Sequence, residues 1–216
     1  MLDVLSQWDL QGFVLINESW RNAMFDEFLP MLSDDALFWG IVGVVLLSRM
    51  VLQGRGGLRR LPLAVVFLAL GLGASDFTAN LAKNAIDRPR PVNSLPGAYY
   101  REHGRWDRNP EDFTPRRTGG SSFYSAHASN SMTMVTTLTA FFPQAAPIVY
   151  LLPLGVGWSR VYNGKHYPSD ILAGWLAGLV IGRLTGKAYR LTAEHLRRRL
   201  REKKRNGDAP QEVATA

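Results

Sequence analysis

The sequence predicts an all-α fold, a polytopic membrane bundle of about five transmembrane helices preceded by amphipathic helices lying in the interface. Three observations predict it. From Thr118 to Ser159 there is no Asp, Glu, Lys or Arg, a run of 42 residues. Three shorter charge-free runs, Ala36–Ser48, Leu61–Ser75 and Ile171–Gly182, are each bounded by charged residues. The charges outside these runs are sorted along the chain: residues 1–35 hold seven acids and one Arg, whereas Arg183–Arg205 holds ten Lys/Arg against two Glu. The averages over all 216 residues, a net charge of +7 and a mean hydropathy of −0.07, conceal this pattern.

A bilayer core of ~30 Å needs roughly 17–25 apolar residues per helix. The long run supplies two spans, broken by Pro143 and Pro147 in FFPQAAP. The shorter runs reach span length when Arg49 and Arg183 snorkel. The expected spans are 36–53, 61–83, 126–142, 146–161 and 168–186. Ahead of them, residues 1–35 place Met1, Val4, Leu5, Trp8, Leu15 and Ile16 at helical spacing against Asp3, Ser6, Gln7 and Asp9, an interfacial pattern. Domain 36–186 is then the membrane-embedded unit, its outer loop 84–125 is irregular, and 187–216 is a basic tail.

Arg49, Arg55, Arg59 and Arg60 fall in the first inter-span loop, on the same side as the tail when there are five spans. The positive-inside rule makes that side cytoplasmic and turns the loops at 84–125 and 159–168 outward. The expected location is a bacterial-type inner membrane with an extracytoplasmic site. The tail RRRLREKKR reads as a topology determinant, so no nucleic-acid partner is expected and the partners are the bilayer and a lipid. Zero cysteine excludes disulfide frameworks, thiolate metal sites and a cysteine nucleophile. No metal and no cofactor are expected.

Three clusters of reactive residues sit at outer ends of these spans. Lys83 closes the second and is followed by Arg90-Pro91, Ser125-Ala126-His127 opens the third, and Ser159-Arg160 closes the fourth, ahead of His166 and Asp170. Lys83, Arg90 and Arg160 without a matching carboxylate cluster suit a multiply charged anion, which arginine grips bidentately. Ser125 and the amides beside Ala126 add donors at a helix start. His166 and Asp170, four apart, share a helix face, so the carboxylate can fix the imidazole tautomer. His127 is a second titratable group suited to protonating a leaving oxygen. Residue types alone leave open which histidine attacks.

These stretches resemble the signature of the type 2 phosphatidic acid phosphatase superfamily: Lys-x6-Arg-Pro, Pro-Ser-Gly-His and Ser-Arg-x5-His-x3-Asp. Here they read KNAIDRPRP (Lys83–Pro91), YSAH (Tyr124–His127) and SRVYNGKHYPSD (Ser159–Asp170). The second departs from the family at Tyr124 and Ala126. The resemblance implies a metal-independent lipid phosphatase in which His166 is the nucleophile, Asp170 orients it, and His127 is the general acid that later activates water. Lys83, Arg90, Ser125, Ala126 through its amide, and Arg160 bind the phosphoryl group. The expected substrate is undecaprenyl diphosphate, followed by phosphatidylglycerophosphate, phosphatidate or lipid A 1-phosphate. The rival readings are a lipid phosphotransferase and a non-catalytic lipid-phosphate binder.

Two readings go beyond the signature. Asp76, Asn80, Lys83 and Asp87 fall on one face of the second span, and Asp76, an intramembrane acid, is expected either to support the pocket or to bond Ser129, Asn130 or Ser131. The loop 92–122, with Tyr99, Tyr100, Trp106 and Phe113 among five arginines, is expected to form an interfacial lid. His103 and His195 carry no assigned role.

Overall fold

The computed structural model describes residues 2–34, 61–116, 120–141 and 146–207, with Gly40, Gly43, Val44, Ser48 and Leu52 between the first two segments. Apart from those five positions, the expected first span and its arginine cluster lie outside the described residues, as does the chain beyond 207.

The elements are α1 (Leu2–Val14), a π-helical turn (Leu15–Ser19), α2 (Ala23–Leu32), α3 (Leu61–Ile86), α4 (Pro91–Ser94), β1 (Tyr99–Glu102), β2 (Arg105–Arg108), α5 (Ala126–Phe141), α6 (Ala146–Val149), α7 (Leu151–Tyr162) and α8 (Pro168–Gly207). Two stretches, Leu61–Ser94 and Pro168–Lys203, are long and apolar enough to cross a membrane. The expected spans 126–142 and 146–161 are shorter as helices. The 146–161 span is divided at Tyr150 into α6 and α7, and α5 has 16 residues. Tail and fifth span form one helix of 40 residues, about 60 Å at 1.5 Å per residue.

Helix α5 is the hub. It packs on α3, α7 and α8, and Ala128, Ser129, Thr133, Met134, Val135, Thr137 and Leu138 are all buried. Its closest neighbour is α8, and the reason is in the sequence: Gly174, Gly178, Gly182 and Gly186 recur every four residues. A Cβ added at Gly178 would lie 2.3 Å from the Ser129 carbonyl oxygen, and one at Gly174 2.7 Å from that of Ser125. Only hydrogen at these positions lets the two backbones approach, the small-residue packing that replaces hydrophobic driving force inside lipid. Thr133 Oγ1 donates to the Gly178 carbonyl at 3.2 Å, and Ser75 and Ser129 share a hydroxyl bond of 2.7 Å between α3 and α5.

Two residues away from each glycine, hence about 200° around the helix, stand Leu172, Leu176, Val180 and Leu184, all exposed. On α3, Val66, Leu70, Phe77 and Leu81 are exposed likewise. Helices that are apolar outside and small or hydroxylated inside fit hydrocarbon surroundings, since exposed apolar patches this extended are costly in water.

The N-terminal helices differ from their expected pattern. Asp9, placed by sequence on the solvated face, is 6% exposed, while Trp8 is 72% exposed. The inward face of this segment is Asp9, Phe13 and Asn17, at i, i+4 and i+8, because two polar side chains there find partners inside the protein. The Asn17 side chain donates to the carbonyls of Tyr99 (2.9 Å) and Tyr162 (2.7 Å) and accepts the Tyr99 amide (2.8 Å). Arg21 pairs with Asp26 at 2.5 Å and lies over the rings of Trp106 (3.9 Å), Tyr99 (4.3 Å) and Tyr162 (4.8 Å).

The outer loop is also more ordered than its Pro, Gly and Arg content suggested. Strands β1 and β2 pair antiparallel, Tyr99 opposite Arg108 and Glu102 opposite Arg105. His103 and Gly104 join them with φ of 48° and 79°, the left-handed pair that a two-residue type I′ turn requires. The side-chain amide of Asn109 donates to the carbonyls of Val92 and Leu95, both at 2.8 Å, and pins the returning chain.

Candidate active site

The three motifs meet at one end of the bundle because short bonds tie their backbones together. The Ser125 amide donates to the Asp170 carbonyl at 3.1 Å, joining the second motif to the third. The Ser122 amide donates to the Arg88 carbonyl at 2.7 Å, and the Arg88 amide to Ser121 Oγ at 2.9 Å, joining the first motif to the approach of the second. On the third, the Ser159 hydroxyl donates to the Leu29 carbonyl at 2.5 Å, anchoring α7 to α2.

His166 stands in the loop between α7 and α8 and is 2% exposed. Its Nδ1 lies 2.8 Å from the Ser122 carbonyl oxygen. A carbonyl only accepts, so Nδ1 carries the proton and Nε2 keeps its lone pair. The Asp170 carboxylate, the expected orienting partner, is 3.7 Å from Nδ1. The nearer contact is therefore with the main chain of Ser122, and Asp170 acts on the ring across a longer gap. Burial pushes the His166 pKa down from 6.5 to about 4; Arg160 and Arg90 press the same way and Asp170 opposes them.

Asp170 is fully buried, and its two oxygens are committed elsewhere. One accepts Arg88 Nη1 at 2.8 Å, and the other accepts the Tyr167 amide at 2.8 Å. Arg88 is a residue that sequence reasoning missed. The same guanidinium donates to Ser169 Oγ at 2.8 Å, pairs with Asp9, and lies 4.0 Å over the Tyr167 ring. Asp9 in turn accepts the Ser169 amide at 2.8 Å and its hydroxyl at 2.5 Å. The signal was present in DRPRP, where two arginines precede proline. The family spacing selects the second and is silent on the first.

Lys83, Arg90, Arg160, His127 and His166 come within electrostatic reach of one another. Cations outnumber carboxylates in this group, which favours an anion. Arg90 Nε is buried without a hydrogen-bond partner among the described residues. Lys165, next to His166, has its pKa lowered by burial and then by Arg160 and Arg90. Ser125 is buried, and its hydroxyl accepts the Ala128 amide at 3.4 Å, the geometry of an N-cap for α5. The Ala126 and His127 positions open that helix, at its positive end.

Of the two supporting residues, Asp76 accepts the Asn130 side-chain amide at 2.7 Å and lines a cavity of about 380 Å³ that His127 also lines. The contact with Asn130 is thus one of those expected for Asp76. Asn80 is exposed and is not brought to that cavity. A second cavity, of about 600 Å³, opens beside Arg90 between the hairpin and residues 109–116. Among the described residues no three His, Asp or Glu side chains are grouped so as to hold a metal ion.

Comparison with known proteins matches residues 64–192 to the sequence model of the PAP2 superfamily. The chain is 32% identical over 118 residues to a lipid A 1-phosphatase of Rhizobium etli, covering 53% of this chain and 46% of that one. It is 33% identical over 87 residues to a lipid A 4'-phosphatase of Bacteroides thetaiotaomicron, covering 39% and 37%. The chain spans less than half the length of these curated relatives. The fold is similar to that of LpxE from Aquifex aeolicus (TM-score 0.59, 22% identity, 82% of this chain and 94% of that one). It is also similar to a transmembrane PAP2-type phosphatidylglycerolphosphate phosphatase from Bacillus subtilis (TM-score 0.60, 18% identity, 88% and 87%).

Proposed function

The chain belongs to the PAP2 superfamily, and from that premise we propose that it is a membrane lipid phosphatase working through a phosphohistidine at the extracytoplasmic face. The observation that carries this reading is the tautomer of His166. A buried imidazole whose Nδ1–H is held by the Ser122 carbonyl offers its Nε2 lone pair beside a group of cations suited to phosphate.

In the first step Nε2 of His166 attacks phosphorus, the bond from phosphorus to the lipid oxygen breaks, and protonated His127 gives its proton to that oxygen. In the second, water attacks the phosphohistidine, His127 takes a proton from it, the P–N bond breaks and inorganic phosphate leaves. Lys83, Arg90 and Arg160 hold the non-bridging oxygens as charge builds on them. Ser125 shapes the start of α5, whose amides at Ala126 and His127 face the same anion. Asp170, held by Arg88, steadies the loop that carries the nucleophile.

Lipid A-type phosphates stand first among candidate substrates because the curated relatives carry that name. Undecaprenyl diphosphate, the expectation from sequence, moves behind them. Phosphate release by detergent-purified protein across a panel of lipid phosphates, with EDTA present and His166→Ala as control, tests the reading. Release is expected with EDTA and absent in His166→Ala. Loss of activity to EDTA overturns metal independence, and undiminished activity in His166→Ala overturns the nucleophile.

A further inference from the structure

Lys165 immediately precedes His166 and belongs to none of the signature positions. Its amide donates to the Arg160 carbonyl at 3.1 Å, which folds it back toward that arginine. The turn before it is pressed against the hairpin. Gly164 has a φ of 72°, and a Cβ there would lie 2.4 Å from the Tyr99 carbonyl oxygen, so glycine is what lets β1 come this close. Asn17 clamps the same contact by bonding the carbonyls of Tyr99 and Tyr162. As a result Arg101, two residues along β1, reaches one cavity together with Arg160 and Lys165. Arg101 is steadied by its cross-strand neighbour Trp106, whose ring centre lies 6.0 Å from the guanidinium carbon. The Trp106 indole N–H in turn donates to the Asp26 carbonyl at 3.2 Å.

The cavity holds about 380 Å³ and is bounded by Pro30 and Met31 of α2 and by Asp34 just after it. Three cations from three different elements line it against one carboxylate, Asp34. Asp34 and Arg160 each have a partner already, so Arg101 and Lys165 supply the charge for a further anion. Arg90 also acts on Lys165, and the exposed carboxylate of Glu102 is within its electrostatic reach. On its other side Lys165 lines the cavity beside Arg90, where Glu102 and Asp112 meet Arg90 and Arg116. The larger excess of cations is therefore on the Arg101 side. A phosphate monoester carries about 1.5–2 negative charges near neutral pH, which arginine takes bidentately and lysine as a point charge. Arg160 borders this cavity and also acts electrostatically on His127 and His166. An anion held here thus lies next to the phosphoryl site, and a group tethered to the same molecule reaches it at a higher effective concentration than a free ion does.

Resting on the phosphatase reading above, we propose that the cavity lined by Arg101, Arg160 and Lys165 is a subsite for a second phosphate group on the same lipid. Arg101 and Lys165 are its specificity-determining residues. A lipid with one phosphate is bound by the signature cations alone. A second phosphate, joined to the first as an anhydride or carried elsewhere on the headgroup, adds affinity through Arg101 and Lys165.

The test measures initial phosphate release by the full chain in detergent on two pairs of probes: a disaccharide lipid with one phosphate or two, and a polyprenyl monophosphate or diphosphate. Wild type is expected to show a KM at least fivefold lower for the doubly phosphorylated member of one pair or both. Preference in the polyprenyl pair identifies an anhydride-linked phosphate, and preference in the disaccharide pair a separate ester. Lys165→Met and Arg101→Gln are expected to bring that preference below twofold by raising the KM of the doubly phosphorylated lipid. An inactive fraction of a variant lowers apparent kcat and leaves KM as it is, so partial misfolding does not imitate the result. A wild type without preference in either pair, or a preference unmoved in both variants, overturns the subsite. Weaker inhibition by inorganic phosphate in the variants with the lipid preference intact assigns the cavity to free phosphate and overturns it too. Release from none of the probes, or equal release by His166→Ala, overturns the phosphatase reading itself.

Discussion

Asp9 accepts both the amide and the hydroxyl of Ser169, at 2.8 and 2.5 Å, and so caps the first turn of α8 from another helix. That turn begins two residues after His166 and contains Asp170. A negative side chain at a helix N-terminus is favourable twice over, through the free amides and through the helix dipole. Here it also neutralises Arg88, which holds Asp170 from its other side.

Replacing Asp9 by Ala leaves the Arg88 guanidinium and the Ser169 amide short of their acceptor. The expected cost is about 2–4 kcal/mol, read as a lower melting temperature in detergent. Asp9→Asn keeps an acceptor for Ser169 but not the charge, and is expected to recover part of the loss. Equal melting temperatures for wild type and Asp9→Ala would refute the cap.

Arg88→Ala removes the cation from a fully buried carboxylate and frees the loop that bears His166. A displacement near 1 Å at a reacting atom costs up to about a hundredfold in rate. We expect kcat to fall by roughly 10- to 100-fold with KM little changed, since in the proposed mechanism Arg88 steadies the His166 loop through Asp170 and Ser169 and does not grip phosphate. A rise in KM with kcat preserved would place Arg88 among the substrate contacts instead.

The glycine stripe sets up a paired comparison. Gly178→Ala drives a methyl against the Ser129 carbonyl at 2.3 Å and is expected to cost about 1–3 kcal/mol. Gly73→Ala, on α3, meets nothing within 4 Å and is expected to gain roughly 0.5–1 kcal/mol. Thermal unfolding of the two variants checks both signs at once.

The pH dependence follows from His166. In the proposed mechanism attack requires the neutral imidazole, and with a pKa of about 4 in the fold that form persists well into acid. In the unfolded chain the group titrates near 6.5, so between these values the unfolded state binds the extra proton. The stability tied to neutral His166 is complete above about 6.5 and is lost as pH falls toward 4. Wild type should therefore lose melting temperature across this window faster than His166→Asn does. Parallel curves would contradict it.

The part of this arrangement visible from sequence is the part built on charge and spacing. Charge-free runs reveal apolar helices because lipid penalises ionised groups. Motif spacing located Lys83, Arg90, His127, Arg160, His166 and Asp170, and the chain brings them together. What stayed hidden depends on pairing across long separations. Asp9 looked solvated because nothing local reveals that Arg88 and Ser169, some 80 and 160 residues on, come to meet it. The Ser122 carbonyl is a backbone group, and no side-chain pattern announces that it outcompetes Asp170 for Nδ1. The hairpin was missed because its strands are short and arginine-rich, and only the His103-Gly104 turn marks them.

The cap on α8 also constrains biogenesis. Asp9 is synthesised 160 residues before its partner Ser169, so the His166 loop has no finished support until α8 has set its glycines against α5. A half-inserted chain carries the early motif residues but not a competent centre. On the proposed function, catalytic competence therefore waits for α8 to dock.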